Sequence, residues 1–298
     1  MSQNNPAAKP QKKKFRFSQT LPFWLVLPAV AMLVTIQIYP TLFSLYLSTT
    51  RMRAGNLIFV GVKNFERLLA SGDFFESVQR TFVFASSYLV LTVVLGMVLA
   101  LLLNKRTMMT PVYIVMVFIP WVLSDVVSGT IWRWMFNQSY GLIQVALNPY
   151  IDNMSILSNN DSSMAVVVAA SVWRTLAFTA LLFLGALQTI PGEVLEAAAL
   201  DGATRWQSFW RVTFPMMLPT VLVVILITSI RGINSLGLIL STTNGGPGAG
   251  TTTAAVYLYR TAWQFGDFGT AAAMAVFLFV INLVLTIAYL RVVRLEQN

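Results

Sequence analysis

Long apolar stretches alternate with short polar ones along the whole chain. The apolar runs fall at residues 21–47, 79–103, 112–136, 164–190, 216–240 and 268–290. A helix needs about 20 apolar residues to cross a bilayer, and it satisfies its own backbone hydrogen bonds there. The pattern predicts an all-α integral membrane protein with six transmembrane helices, forming one domain over residues 21–290. A basic N-terminus (1–20) precedes that domain and a short tail (291–298) follows it. Pro28 and Pro40 predict a bend in the first run. This run is too long for a signal-peptide core and no small-residue cleavage site follows it, so it reads as an uncleaved first span.

Composition agrees with lipid as the main solvent. The 298 residues are 56% hydrophobic and 10% charged, with a mean hydropathy of +0.70, whereas soluble domains carry about 25% charged residues. There is no cysteine and no histidine. The commonest metal ligand and general base are therefore missing, along with any thiolate nucleophile, so neither a metal, a cofactor nor an enzymatic site is expected. The net charge of +9 does not point to nucleic acid, because the cations gather at span ends instead of along one face.

The distribution of Lys and Arg orients the bundle. With the N-terminus inside, 11 of the 20 lie on inner segments: Lys9, Lys12, Lys13, Lys14, Arg16, Lys105, Arg106, Arg205, Arg211, Arg291 and Arg294. The outer loops hold five, of which Arg51, Arg53, Lys63 and Arg67 share the first loop and Arg260 lies in the fifth. Both termini are thus expected on the cytoplasmic side. In the first outer loop, Phe65, Leu68 and Leu69 at helical spacing predict an interfacial helix that lays its apolar side among lipid headgroups and stops at Gly72. The loop at 137–163 reads as polar and irregular.

The stretch 190–215 predicts a cytoplasmic hairpin of two short helices. Pro191 and Glu193 suit a first turn, Leu195 to Leu200 are strong helix formers, and Gly202 supplies a left-handed stop. Thr204 and Gln207 match a capping box for the second helix, whose Trp206, Phe209 and Trp210 share a face and which Pro215 limits.

The order Glu196-Ala197-Ala198, Gly202, Val212, Phe214, Pro215 closely resembles the EAA motif of binding-protein-dependent ABC importer permeases. Glu196, Ala197, Ala198, Gly202 and Pro215 match directly, while Val212 and Phe214 replace the usual Ile and Leu. Tyr39-Pro40 with Ser44, the segment Phe59 to Phe65, Gly245-Gly246-Pro247 and the segment Asp267 to Ala272 are similar to the carbohydrate-uptake group. Within it, the likeness is to the first permease of the maltose and glycerol-phosphate pairs, from about residue 22 onward. The resemblance implies a type I importer fold in a bacterial cytoplasmic membrane and an alternating-access mechanism. It implies that hairpin 191–215 couples the chain to two ATPase subunits, and that a second homologous permease and an extracytoplasmic solute-binding protein complete the machine. Gly245 to Gly250 lacks the Lys-Ser/Thr ending of a phosphate loop, so ATP is expected to be hydrolysed by a separate subunit. The Gly245 segment itself reads as a flexible loop or a surface touched by a partner.

Charges inside spans are costly and usually face a cavity or a partner. Arg174 and Arg231 are the deeper ones, and the sequence leaves an ion pair and a solute contact open for both. Asp125 and Arg133 are too far apart for a helical pair, and Arg80 and Arg133 are expected to snorkel. Trp173, Asn234 and Ser235 are candidates to grip a sugar beside the two arginines, whereas Trp121, Trp132 and Trp134 suit interfacial belts. Other cargoes fit the same architecture, a polyamine or a phosphate ester among them. From another class, an ATPase-independent channel or an ion-driven secondary transporter is the alternative.

Overall fold

A computed structural model describes residues 17–53, 55–105, 107–150 and 155–296. Lys9, Lys12, Lys13, Lys14 and Arg16 of the basic N-terminus, and Arg106, lie outside the described residues. Two units are distinguished, residues 1–46 and 47–298.

The described residues of the first unit, from Phe17 onward, are helical throughout. Helix α1 (Phe17–Leu33) passes through a single π turn (Val34–Ile38) into α2 (Tyr39–Ser48). The widened turn sits directly before Pro40: the Tyr39 N–H bonds five residues back to Val34 O, and the next residue has no N–H to offer.

The second unit begins with a hairpin of β1 (Thr50–Arg53) and β2 (Asn56–Phe59), paired antiparallel with Thr50 opposite Phe59. Then come α3 (Lys63–Leu69), α4 (Gly72–Leu103), α5 (Thr110–Val122), α6 (Asp125–Met135), α7 (Leu142–Leu147) and α8 (Asn160–Gln188). Helices α9 (Gly192–Leu200), α10 (Arg205–Ser208), α11 (Phe214–Ile233), α12 (Gly237–Thr242), α13 (Ala254–Trp263) and α14 (Phe268–Glu296) follow. Among the described residues, five helices are long and apolar enough to cross a membrane, and the α5–α6 pair makes a sixth if counted as one span.

The core runs along the α4–α8 contact. Near the start of both helices, Phe84 and Tyr88 cluster with Val167, Val168 and Val172 and with Leu238 and Ile239 of α12. Near their ends, Met97, Ala100 and Leu103 cluster with Phe183, Leu184 and Leu187 and with Met217 and Val221 of α11. Helices α4 and α8 therefore run in the same direction, toward the end where the 191–215 hairpin emerges. Gly96 makes the crossing close, since a Cβ there would stand 2.5 Å from Thr179 Cγ2. Helix α8 is the central one, with 61% of its apolar window buried against about a third or less for the others.

Five expectations need correction. The run at 112–136 is not one straight helix: α5 and α6 meet at 97°. Leu123 and Ser124 turn extended (ψ 144° and 157°), and the Ser124 side chain then caps α6 by accepting from Val127 N. The pair still carries the chain across, because Ile114 packs on the cluster at the hairpin end and Trp132 on the cluster at the far end. The run at 216–240 breaks after Ile233, and Leu238 and Ile239 belong to the separate α12. Helix α3 does not leave its whole apolar side free for headgroups: Leu68 is buried with Phe74, Ala273 and Met274 and Phe65 packs there too, while Leu69 stays exposed. Gly72 begins α4 instead of ending α3, with Ser71 as the cap. Residues 137–163 contain α7 and two short 3₁₀ turns in place of a wholly irregular loop.

Candidate functional site: a polar cavity and an exposed hairpin

The breaks in α5–α6 and α11–α12 lie beside the same space. A cavity of about 480 Å³ opens there, lined by Tyr88 of α4, Asp125 of α6, Ser171, Arg174 and Thr175 of α8, and Arg231, Asn234 and Ser235 at the end of α11. Ser171, Arg174 and Thr175 stand at i, i+3 and i+4, so one face of the central helix is polar. Breaking α5 at Ser124 places Asp125 on the first turn of α6, where its Oδ1 lies 3.0 Å from Arg174 Nη1. Arg174 Nε also donates to Leu123 O, a carbonyl exposed by the same break. Tyr88 Oη donates to Thr175 Oγ1 at 2.8 Å.

Arg231 is placed differently. Its guanidinium lies 5.9 Å from the centre of the Phe178 ring, and among the described residues no carboxylate pairs with it. The cavity thus holds two arginines and one aspartate, an excess of one positive charge. Asn234 donates to Ile230 O at 2.7 Å, closing the last turn of α11, and reaches Asn282 of α14 at 3.3 Å. The backbone break brings Ser235 to the same wall.

Four of the five residues singled out from sequence, Arg174, Arg231, Asn234 and Ser235, therefore meet at one cavity. Trp173 does not join them. Adjacent residues on a helix point about 100° apart, and its ring lies 6.0 Å from Trp132, on the side of the apolar cluster. Trp132 also stacks on Phe136, and Trp121 stacks on Phe178, so both pack within the chain. Arg80 pairs with Glu76 at 2.6 Å. The sequence reading missed Tyr88, Ser171 and Thr175. The polar i, i+3, i+4 pattern around Arg174 was the available signal for the two on α8.

At the other end, the 191–215 elbow is built by two caps. Helix α9 ends in a Schellman motif: Ala203 N donates to Ala198 O and Gly202 N to Ala199 O, with Gly202 at φ +78°. Thr204 and Gln207 form a reciprocal capping box. Beyond the second cap, the expectation that Pro215 would limit a short helix is not met. The helix runs on from Arg205 to Ile233, because a π turn at Phe209–Thr213 lets the chain pass the proline, Phe214 N bonding back to Phe209 O. No residue of α9 or α10 is buried. Glu196 and Ala197 are exposed, as are Leu200 (89%) and Trp206 (71%). Trp206, Phe209, Trp210 and Phe214 form a ladder along the second arm, edge to face at Trp206–Trp210 and Phe209–Trp210 and tilted at Trp210–Phe214.

An exposed elbow, capped on both arms, thus stands at one end of a bundle that also encloses a polar cavity. Residues 92–295 match the family described as binding-protein-dependent transport system inner membrane component. The chain belongs to this family. It is 31% identical to the trehalose/maltose transport system permease protein MalF of Thermococcus litoralis over 290 residues, covering 96% of this chain and 98% of that one. It is 32% identical to the sn-glycerol-3-phosphate transport system permease protein UgpA of Agrobacterium fabrum, covering 90% and 93%. The fold superposes on a chain in the crystal structure of a bacterial alginate ABC transporter with a TM-score of 0.80 at 21% identity, over 91% and 93% of the two chains. The family member described here is thus a multi-pass permease subunit with the type I importer fold, and ATP hydrolysis belongs to another subunit. The Gly245 segment of this permease is not loose: Thr251 and Thr252 hydroxyls donate to Gly246 O and Gly245 O at 2.9 and 2.8 Å.

Proposed function

We propose that this permease forms half of the translocation pathway of an ATP-driven importer for a sugar or closely related solute, and that the cavity around Arg174, Arg231, Asn234 and Ser235 is its station for the solute. In this reading a solute-binding protein delivers cargo outside the cytoplasm, and a second homologous permease completes the pathway. Two ATPase subunits receive the elbow through Glu196, Ala197, Ala198, Gly202 and Pro215, and both termini face the cytoplasm. ATP-driven closure of the motor pushes the elbow, and the bundle exchanges two packings that open the cavity to opposite sides.

The observation that carries this is the elbow. Leaving Leu200 and Trp206 bare is costly in water, which supports a partner surface over them. The chain has no cysteine, so Ala198→Cys creates a unique attachment point. Cross-linking in intact membranes should capture an ATPase subunit from that position, and capture from an outer-loop cysteine but never from this one would refute the coupling role. Uptake by the reconstituted importer across neutral sugars, anionic sugars and polyamines tests the cargo. The unmatched Arg231 favours, within sugars, one that carries an anionic group, and exclusive polyamine uptake would overturn the sugar assignment.

A further inference from the structure

The β1–β2 hairpin and α3 enclose a second concavity, of about 460 Å³, whose charged lining is wholly basic: Arg51, Arg53, Lys63 and Arg67. Arg67 pairs with Asp267 at 3.4 Å. Among the described residues, Arg51, Arg53 and Lys63 have no ion pair. Like charges gathered in one concavity repel, so the backbone must hold them there. It does so through Asn64, fully buried, whose side-chain amide donates to Ser48 O at 2.8 Å and Thr50 O at 2.7 Å. Gly269 adds to this, because α14 approaches so closely that a Cβ there would clash with Thr50 O.

The placement of this pocket narrows what it can hold. Ser48 ends α2, Gly72 begins α4, and Asp267, the partner of Arg67, immediately precedes α14. Two membrane-length helices of the second unit, α4 and α14, begin beside it, which sets it at the depth of the headgroups, at the end of that unit opposite the 191–215 hairpin. Its surroundings are apolar and uncovered, with Phe59 73%, Val62 63% and Met52 50% exposed. A soluble acidic surface would match the cations and leave those side chains bare. A phospholipid matches both, with phosphate among the cations and acyl chains against the apolar rim.

We propose that this pocket binds the headgroup phosphate of an anionic phospholipid. Three unpaired cations also stand against the usual scarcity of Lys and Arg in a short translocated loop, and a lipid phosphate offsets that charge. The test uses the importer purified intact in mild detergent and titrated with phosphatidylglycerol or with phosphatidylcholine of the same acyl chains, bound lipid being counted by native mass spectrometry. The phosphatidylglycerol should bind about ten-fold tighter or more, and Arg51→Gln/Arg53→Gln/Lys63→Gln should remove that preference while leaving phosphatidylcholine unchanged. The charge-preserving Arg51→Lys/Arg53→Lys/Lys63→Arg should retain it. All three side chains are solvent-exposed, so an unchanged melting temperature is expected and confirms that folding is intact. Equal binding of the two lipids, or a glutamine variant that binds phosphatidylglycerol as the natural chain does, would overturn the proposal. So would displacement of the lipid by millimolar inorganic phosphate, which would mark a free-anion site. A variant that loses only its response to the solute-binding protein, with lipid preference intact, would assign the surface to protein docking.

Discussion

Arg174 and Arg231 show how two like residues in one cavity acquire different tasks. Arg174 is mostly buried (17% exposed) and held on both sides, by Asp125 and by the Leu123 carbonyl. Asp125 is 53% exposed, so water screens the pair, and removing its carboxylate costs about 1 kcal/mol. Asp125→Asn is therefore expected to lower the melting temperature of the purified chain by a few degrees, and the exchange Asp125→Arg/Arg174→Asp to restore part of it. A melting temperature unmoved by Asp125→Asn would mean that the pair does not hold the α5–α6 break in place. Gly202 is a second residue with a defined requirement. A side chain there meets no atom within 4 Å, so space is not the issue, but φ is +78°. A β-branched residue is forced into strain of about 1–2 kcal/mol, while asparagine tolerates this region. Gly202→Val should reduce ATP-coupled uptake strongly with membrane insertion intact, and Gly202→Asn should keep most of it. Equal uptake by both variants would show that the Schellman geometry has no part in coupling.

At the level of elements, the helix breaks decide where function can sit. Both π turns lie just ahead of a position whose missing N–H would otherwise leave a strained helix, at Pro40 and at Pro215. In both places the chain continues as a helix, which is why reading Pro215 as a stop failed: a backbone that widens by one residue accommodates the proline without ending the helix. Hydropathy found the apolar runs because burial in lipid demands length and little else. It could not see the turn at Leu123–Ser124, since an apolar run looks alike straight or bent, although Ser124 ahead of Asp125 carried a capping signal. Nor could it separate α12 from α11, because Leu238 and Ile239 are as apolar as any spanning residue while packing inside the protein. The α6–α12 contact produced by these breaks is tight. A Cβ on Gly129 would stand 2.7 Å from Leu238 O and collide with Ser241 Oγ, whereas one on Gly185 meets nothing. Gly129→Ala is expected to destabilise by about 1–3 kcal/mol and Gly185→Ala, which meets no atom and favours the helix, to leave the melting temperature unchanged or slightly raised. Equal behaviour of the two variants would show that α6 and α12 are not held at this distance.

Across the whole second unit, the two core clusters define two ends, and the functional parts divide between them. Residues 84–88 of α4 meet residues 167–172 of α8 in one cluster, while 97–103 meet 183–187 in the other. The elbow leaves from the second end. The basic pocket and the start of α14 belong to the first, because Phe74 packs on Ala273 and Met274. The cavity lies between these ends, beside the broken helices, and in the proposed mechanism a push on the elbow would reach it through α8 and α11, the two helices the hairpin joins. This geometry yields a prediction about orientation that is independent of cargo. Val62→Cys near the basic pocket and Ala198→Cys on the elbow, each the sole cysteine of its variant, should react oppositely with a membrane-impermeant maleimide. Val62→Cys should label in intact cells and Ala198→Cys only after the membrane is opened. The reverse pattern would leave the helix packing standing and invert the chain, removing any route from a cytoplasmic motor to the elbow. Labelling of both positions from one side would contradict the fold itself, because α4 and α8 could not then run in parallel across the bilayer.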